Sequence, residues 1–255
     1  MLLAIDVGNT HTVLGVFHQD ELMAHWRVRT ERERTGDELG VLLSNLFATS
    51  PVAMGSIDDV IISSVVPPIN GTLGDLCHRY FSLEPLFVGP GMKTGMPILY
   101  DNPKEVGADR IVNAVAAYAR FPRDLVVVDF GTATTFDCIS SKGEYLGGAI
   151  VPGIMISLEA LFQRASKLPR VEIFNRPKSV VAKDTISAMN AGILVGYAGL
   201  VDGLVQAINQ ERGVKCKVVA TGGLAAVIAR NSSTIEEVDE LLTLKGLRIL
   251  HQRNR

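Results

Sequence analysis

The chain carries one motif twice. Shifted along itself by 123 positions, Asp6 falls on Asp129, Gly8 on Gly131, Thr12 on Thr135 and Glu21 on Glu144. The segment IDVGNTHT then lies over VDFGTATT. Self-similarity at a fixed offset limits the fold more than composition does, because each copy must form the same supersecondary unit. The patterning around the motifs agrees. Residues 2–7, 11–18 and 22–28 read as three strands of a meander joined by short polar turns. Thr35 reads as a helix N-cap, with Asp37 and Glu38 in the first turn and Leu39, Leu42, Leu43, Leu46 and Phe47 as the apolar stripe. Strands follow at 59–66 and 85–88, with a helix opened by Pro68 between them. The order is β-β-β-α-β-α-β.

The stretch 89–103 holds three prolines and three glycines and reads as a connection. A helix is expected at 108–118, then strands at 124–129, 132–140 and 145–151. Helices follow at 154–163 and 186–210, a strand at 215–220 and a short helix at 224–230. The second half therefore begins as the first does. The expectation is an α/β protein of two duplicated domains, 1–118 and 119–255.

Composition narrows the function. With 47% hydrophobic residues the 255-residue chain can build a core, which excludes a disordered protein. Lys and Arg total 25 against 27 Asp and Glu, so the basic footprint of a nucleic-acid binder is missing. Cys77, Cys138 and Cys216 are far apart, without a CxxC pair, which disfavours a disulfide framework or Cys-rich zinc site. His11, His18 and His25 are spaced by an odd number on strands, so they alternate faces and cannot gather around a metal. The opening residues MLLAIDVGNT lack a basic segment and carry Asp6, so no secretory leader is expected. The uncharged run 186–201 is shorter than the roughly 18 residues of a spanning helix. A cytoplasmic protein is expected, with no membrane partner.

Asp6-Val7-Gly8-Asn9-Thr10 and Asp129 through Thr135 share a chemical design. A buried strand ends in a carboxylate, a glycine lets the backbone turn close to a ligand, and hydroxyls with backbone N–H groups can hold phosphate oxygens. A carboxylate beside phosphates calls for a cation between them. Ordinary hairpin turns use the same residue types; the repetition favours the phosphate reading. The pattern GxxxxGK[ST] does not occur, nor does a dinucleotide fingerprint after a strand. Thr221-Gly222-Gly223-Leu224 joins a strand to a helix, as a ligand-approach turn or a plain tight turn. Gly107-Ala108-Asp109-Arg110 opens a helix. There Asp109 either complements the helix dipole or acts as a general base beside an anion-binding Arg110.

Together these residues resemble the type III pantothenate kinases of the acetate and sugar kinase, Hsp70 and actin superfamily. The resemblance runs from Asp6 to about Ala225. It is carried by IDVGNT, YDNPKEVGADRI, VVVDFGTATTFD, GGAIVPGI, DTISAMNAGI and ATGGLA. The GADR element, with Tyr100 and Pro103 before it, is the most specific. The resemblance implies two RNase H-like (actin-like ATPase) domains with ATP in the cleft. It implies transfer of the γ-phosphoryl group to pantothenate, giving 4'-phosphopantothenate in the first step of coenzyme A biosynthesis. By that resemblance Asp6, Val7, Gly8, Asn9, Thr10, His11, Thr12 and Val13 hold phosphates and Mg²⁺. Thr132 contacts ATP, Gly222 and Gly223 lie near the adenosine, and Asp129 binds a monovalent cation, K⁺ or NH₄⁺. Pantothenate is held by Tyr100, Gly107, Ala108, Asp109, Arg110 and Thr185, with Asp109 the base. The family is a homodimer whose substrate site is completed at the interface. A kinase of another small substrate, a phosphohydrolase and a non-enzymatic regulator on the same fold are the rival readings.

Overall fold

Residues 1–171 and 179–255 are described in a computed structural model of the chain. The meander at the start forms as its pattern requires. β1 (Leu2–Val7) pairs antiparallel with β2 (His11–His18), and β2 with β3 (Glu21–Arg29). β4 (Asp59–Ser64) joins β1 in parallel, and β5 (Leu86–Phe87) joins β4. The strand order is β3-β2-β1-β4-β5. The second half repeats it. β6 (Leu125–Phe130), β7 (Ala133–Ile139) and β8 (Tyr145–Pro152) form the meander, and β9 (Lys217–Thr221) and β10 (Glu237–Val238) complete the order β8-β7-β6-β9-β10.

Each sheet has its own core. β1 and β6 are buried along most of their length, as central strands covered on both faces must be. Leu3, Ile5, Val60, Ile62, Leu43 and Phe47 belong to the first cluster. Val126, Val128, Phe136, Leu194, Val201 and Val218 belong to the second. Helix α1 (Gly36–Ala48) starts at the expected Thr35. The Thr35 hydroxyl accepts from the Glu38 N–H, and the Glu38 carboxylate accepts from the Thr35 N–H at 2.7 Å, a capping box. Helix α2 (Asn70–Phe81) follows a 3-10 turn at Pro67–Ile69. Helix α3 is Ala108–Arg120 and α4 is Ile154–Arg164.

The chain divides into two compact units, and the division is not a single cut. The first holds Met1–Met96, Asp101–Ala116 and Leu242–Arg255; the second holds Pro97–Tyr100 and Ala117–Leu241. Two short segments therefore cross over relative to a boundary at 118/119. Pro97–Tyr100 pairs with the second sheet: Tyr145 N–H donates to Pro97 O and Leu99 N–H to Tyr145 O, each at 2.8 Å. The last helix, which the sequence pattern left unassigned, is α6 (Leu242–Asn254), and it returns to the first unit. It does so through Gly246, where a Cβ would stand 2.2 Å from the Val112 carbonyl oxygen. That glycine lets α6 lie against α3, and it also weakens the helical pattern in the sequence.

The long helix α5 (Thr185–Arg212) is capped by Asp184, which accepts from the Ser187 N–H at 2.8 Å, and is closed by Gly213 at φ 65°. Among the described residues it is the helix long and apolar enough to cross a membrane by length and composition. Its Met189, Ala191, Leu194, Ala198, Val201 and Val205 are instead buried against the second sheet's core. Asp202 on the same helix anchors the loop before β10. It accepts from the hydroxyls of Ser232, Ser233 and Thr234 and from the amides of Ser233 and Thr234, at 2.6–3.1 Å. Desolvation alone would raise this carboxyl; the five donors outweigh it and bring the pKa down to about 2. A depressed folded-state pKa gives stability that is present above the unfolded value near 4 and lost as pH falls through about 2. Asp202→Asn should therefore melt lower than the wild type at pH 7 and lose less of its melting temperature between pH 4 and pH 2. A parallel loss in both proteins would remove Asp202 as the acid-labile anchor.

Candidate active site

The two repeated turns sit at the carboxyl ends of β1 and β6. Asp6 lies between Val13 of β2 and Ser63 of β4, and Asp129 between Thr135 of β7 and Thr221 of β9. Strand ends of open α/β sheets are where ligands bind, because loops there leave the paired backbone. Both carboxylates are half-buried. Both turns close the same way: Gly8 N–H donates to His11 O at 3.0 Å, and Gly131 N–H to Ala133 O at 3.1 Å.

The second turn is one residue shorter. Val7 pairs with Thr12 across Gly8-Asn9-Thr10-His11, whereas Phe130 pairs with Thr134 across Gly131-Thr132-Ala133. The structural counterpart of Thr12 is therefore Thr134, not the Thr135 that a constant offset gives. Asn9, Thr10 and His11 are exposed on the first turn, as are Gly131 and Thr132 on the second. The Val7 side chain is fully buried in the first core, so only its backbone faces the turn. His11 is held towards its neutral form, first by desolvation and then by the Arg27 and Arg29 charges.

The turns are supported differently. Thr30, just beyond β3, donates its N–H to Thr10 O at 3.0 Å and its hydroxyl to Gly8 O at 2.8 Å. Arg32 donates to Asn9 Oδ1 at 2.9 Å. In the second unit Gly153 N–H donates to Thr132 O at 3.1 Å, the counterpart of the Thr30 amide bond. Gly222, at φ +91°, packs on the same turn: a Cβ there would stand 2.6 Å from Asp129 Oδ1 and 2.7 Å from Phe130 O. The TGG element is thus brought against Asp129, with Gly223 exposed beside it. Sequence reasoning passed over Thr30, Arg32 and Gly153. The signal available was the meander itself, which returns β3 and β8 beside the turns.

The GADR segment forms the first turn of α3. Arg110 and Ile111 N–H groups donate to Gly107 O at 3.1 and 3.3 Å, and Arg110 N–H also reaches Asp109 Oδ1 at 2.8 Å. A Cβ on Gly107 would meet Asp109 Oδ1 at 2.6 Å, so the glycine makes room for the carboxylate. Arg110 is buried. Desolvation raises the Asp109 carboxyl above its ordinary value, against the opposing Arg110 amide and guanidinium. A helix-end acid placed only for the dipole would stay near its usual value; this one is made more basic. Tyr100 and Thr185 lie in the second unit. The Tyr100 ring stands 6.4 Å from that of Tyr145 and covers Gly147, and Thr185 is exposed at the start of α5.

A family model described as type III pantothenate kinase matches residues 2–207. A type III pantothenate kinase from Anaeromyxobacter sp. (strain K) is 62% identical over 255 residues, with 100% of each chain covered. The chain belongs to the type III pantothenate kinase family. It is a phosphotransferase acting from ATP on an alcohol. Among solved structures, a conserved Baf-family protein from Campylobacter jejuni superposes with a TM-score of 0.62 at 20% identity, covering 99% of this chain and 98% of its own. An inorganic polyphosphate/ATP-glucomannokinase from Arthrobacter sp. strain KM gives 0.51 at 14% identity, covering 98% of each. These likenesses show the fold, the duplicated actin-like ATPase unit. For this pantothenate kinase family member, the exposed turns after β1 and β6 and the desolvated acid of the GADR segment are the features on which its chemistry can be built.

The packing at Gly222 is directly testable. Gly222→Ala combines left-handed strain of about 1–2 kcal/mol with overpacking of about 1–3 kcal/mol. Denaturant melts should show a loss of about 2–5 kcal/mol. Unchanged stability would mean that the close approach is absent in solution.

Proposed function

We propose that the Asp6 turn and the Asp129 turn hold the nucleotide and that Asp109 activates the acceptor, in an enzyme whose reaction is ATP-dependent phosphorylation of pantothenate at the start of coenzyme A biosynthesis. The observation that carries this reading is Asp109: a desolvated carboxylate on a helix start, made room for by Gly107, with a buried arginine next to it. Asp109 takes the proton of pantothenate's primary hydroxyl as that oxygen attacks the γ-phosphorus, the bond from the γ-phosphorus to the β–γ bridging oxygen breaks, and ADP leaves with that oxygen and its electron pair. Arg110 favours the anionic carboxylate of the substrate. Tyr100 and Thr185 are the further pantothenate-contacting residues of this reading, and Gly222 and Gly223 give the adenosine a side-chain-free approach.

The residues fit a nucleotide-borne cation. Among the described residues no group of three or more His, Cys, Asp or Glu side chains could hold a metal. Mg²⁺ is commonly held by one or two carboxylates together with substrate phosphates, which is what Asp6 can offer. Bound there, the ion neutralises phosphate charge. Asp129, with the Phe130 carbonyl oxygen on the same side of Gly222, presents hard oxygen donors suited to K⁺ or NH₄⁺.

The enzyme is a cytoplasmic homodimer in this reading. Gly192, Gly196, Gly199 and Gly203 follow one face of α5, and a Cβ on any of them meets nothing within 4 Å. Met155, Ile156, Leu161 and Phe162 of α4 and Ile186 of α5 are exposed apolar residues of the same unit. Ala191, next to Gly192 in the chain, is buried in the core instead. A second copy covering α5 would bring Thr185 into a shared substrate site.

Two experiments test these assignments. Asp109→Asn keeps the shape and cannot take a proton, so kcat should fall by roughly 10²–10⁴ while ATP affinity and melting temperature hold. The wild-type rate should fall as pH drops through a pKa above the usual aspartate range, and that limb should vanish in the variant. Near-normal kcat would leave Asp109 as a helix-end charge. Gly199→Leu should leave the protomer folded, shift sedimentation from dimer to monomer and raise the pantothenate KM more than the ATP KM. A fully active monomeric wild type would end the shared-site assignment.

A further inference from the structure

The two turns are one backbone design held in two ways, and the difference assigns a role to Thr30. A threonine hydroxyl has one proton to give. That of Thr30 goes to the Gly8 carbonyl at 2.8 Å. The 2.9 Å contact between the Thr30 and Thr12 hydroxyls therefore has Thr12 as donor. The result is a chain running from the Thr12 hydroxyl through the Thr30 hydroxyl to the Gly8 carbonyl, each bond polarising the next. Arg32 adds its bond to Asn9 on the same turn.

The second turn supplies the comparison. The counterpart of Thr30 is Gly153, which keeps the amide bond to the turn but has no side chain. A side chain is excluded there, since a Cβ would stand 2.1 Å from Thr132 O and 2.6 Å from Gly131 O. The counterpart of Thr12 is Thr134, and its hydroxyl is buried with no partner among the described residues. A buried hydroxyl without a partner is uncommon and costly. Without Thr30 the half-buried Thr12 hydroxyl would lose the partner that the Thr134 hydroxyl lacks. The first turn is one residue longer, and it is the one that carries the hydroxyl chain.

We propose that Thr30 is a positioning residue for the nucleotide phosphates, acting through Thr12 and the Gly8 carbonyl. This rests on the reading that the Asp6 turn binds phosphate. A carbonyl oxygen left to swing in such a turn would repel phosphate, and the Thr30 hydroxyl ties this one down. The proton of Thr12 is committed to Thr30, so Thr12 shapes the turn and does not donate to phosphate.

The test is the split between the two substrates. Thr30→Val keeps the branched shape and removes the hydroxyl. Its ATP KM should rise about tenfold while the pantothenate KM stays within about twofold, and Thr30→Ser should recover most of the loss. Thr12→Val should do the same, and the double variant should be no worse than either single one, because all break one chain. A lowered melting temperature with both KM values unchanged, or additive losses, would overturn the proposal. Asp6→Asn with Mg²⁺-ATP binding measured by calorimetry separates the two layers. If it binds as the wild type does, the phosphate reading of the turn falls and the Thr30 role with it. If Asp6→Asn loses affinity and Thr30→Val does not, only the Thr30 role falls. Should Thr30→Val not fold, Thr12→Val breaks the chain from its other end and decides by the same readout.

Discussion

Everything in this structure depends on delivering a carboxylate to the end of a buried strand. β1 and β6 can be apolar almost throughout because each is paired on both sides and covered on both faces. The acid comes one residue before the last position of each strand, where the ladder is still intact on both sides. Its backbone is fixed by neighbours while its side chain is only half-buried. Moving either acid one position would turn it to the opposite face, because strand side chains alternate. The glycine that follows then lets the chain leave the strand without a side chain in the way.

Most of the fold was legible because its signals are local. The apolar runs, the short polar turns between them and the Thr35 cap each act within a few residues. What the pattern did not yield was set by contacts far along the chain. Helix α6 contains Gly246 because Val112 lies against it, and a glycine chosen for closeness reads as a weak helix. Residues 97–100 read as a loop because their partner, Tyr145, is supplied by another element. The shortened second turn is invisible to a fixed offset. A one-residue deletion inside a turn is absorbed before the next strand pair forms, and the register returns to the original offset by Gly153, the counterpart of Thr30.

The site was legible to a different degree. Asp6 and Asp129 stand out by their repetition and Asp109 by the GADR element, although hairpin turns and helix starts use acids for plain structural reasons as well. Their roles needed geometry. Desolvation separates Asp109 from an ordinary dipole-complementing acid, and only the packing of Gly107 and the burial of Arg110 show it. The supporting residues were not legible at all. Thr30 stands at a strand end in a stretch of alternating charge that reads as solvated surface, and Gly153 opens a helix as many glycines do.

Duplication explains why these supports could diverge. Two copies of one backbone begin with the same hydrogen bonds, and each still keeps the amide bond from Thr30 or Gly153 to its turn. Once that bond is shared, side chains at the supporting position are free to differ according to what the turn must tolerate. Close approach of a helix start to the second turn leaves no room for a Cβ, and the cost is the orphaned Thr134 hydroxyl, of order 1–3 kcal/mol. In the first unit the helix after the meander does not open until Gly36, and the turn is one residue longer, so it needs more restraint to hold a single shape. A hydroxyl chain supplies it without adding charge, which matters beside a carboxylate. The unsatisfied group in one half and the hydrogen-bonded chain in the other are therefore two outcomes of one constraint: how much space the element after the meander leaves above the turn.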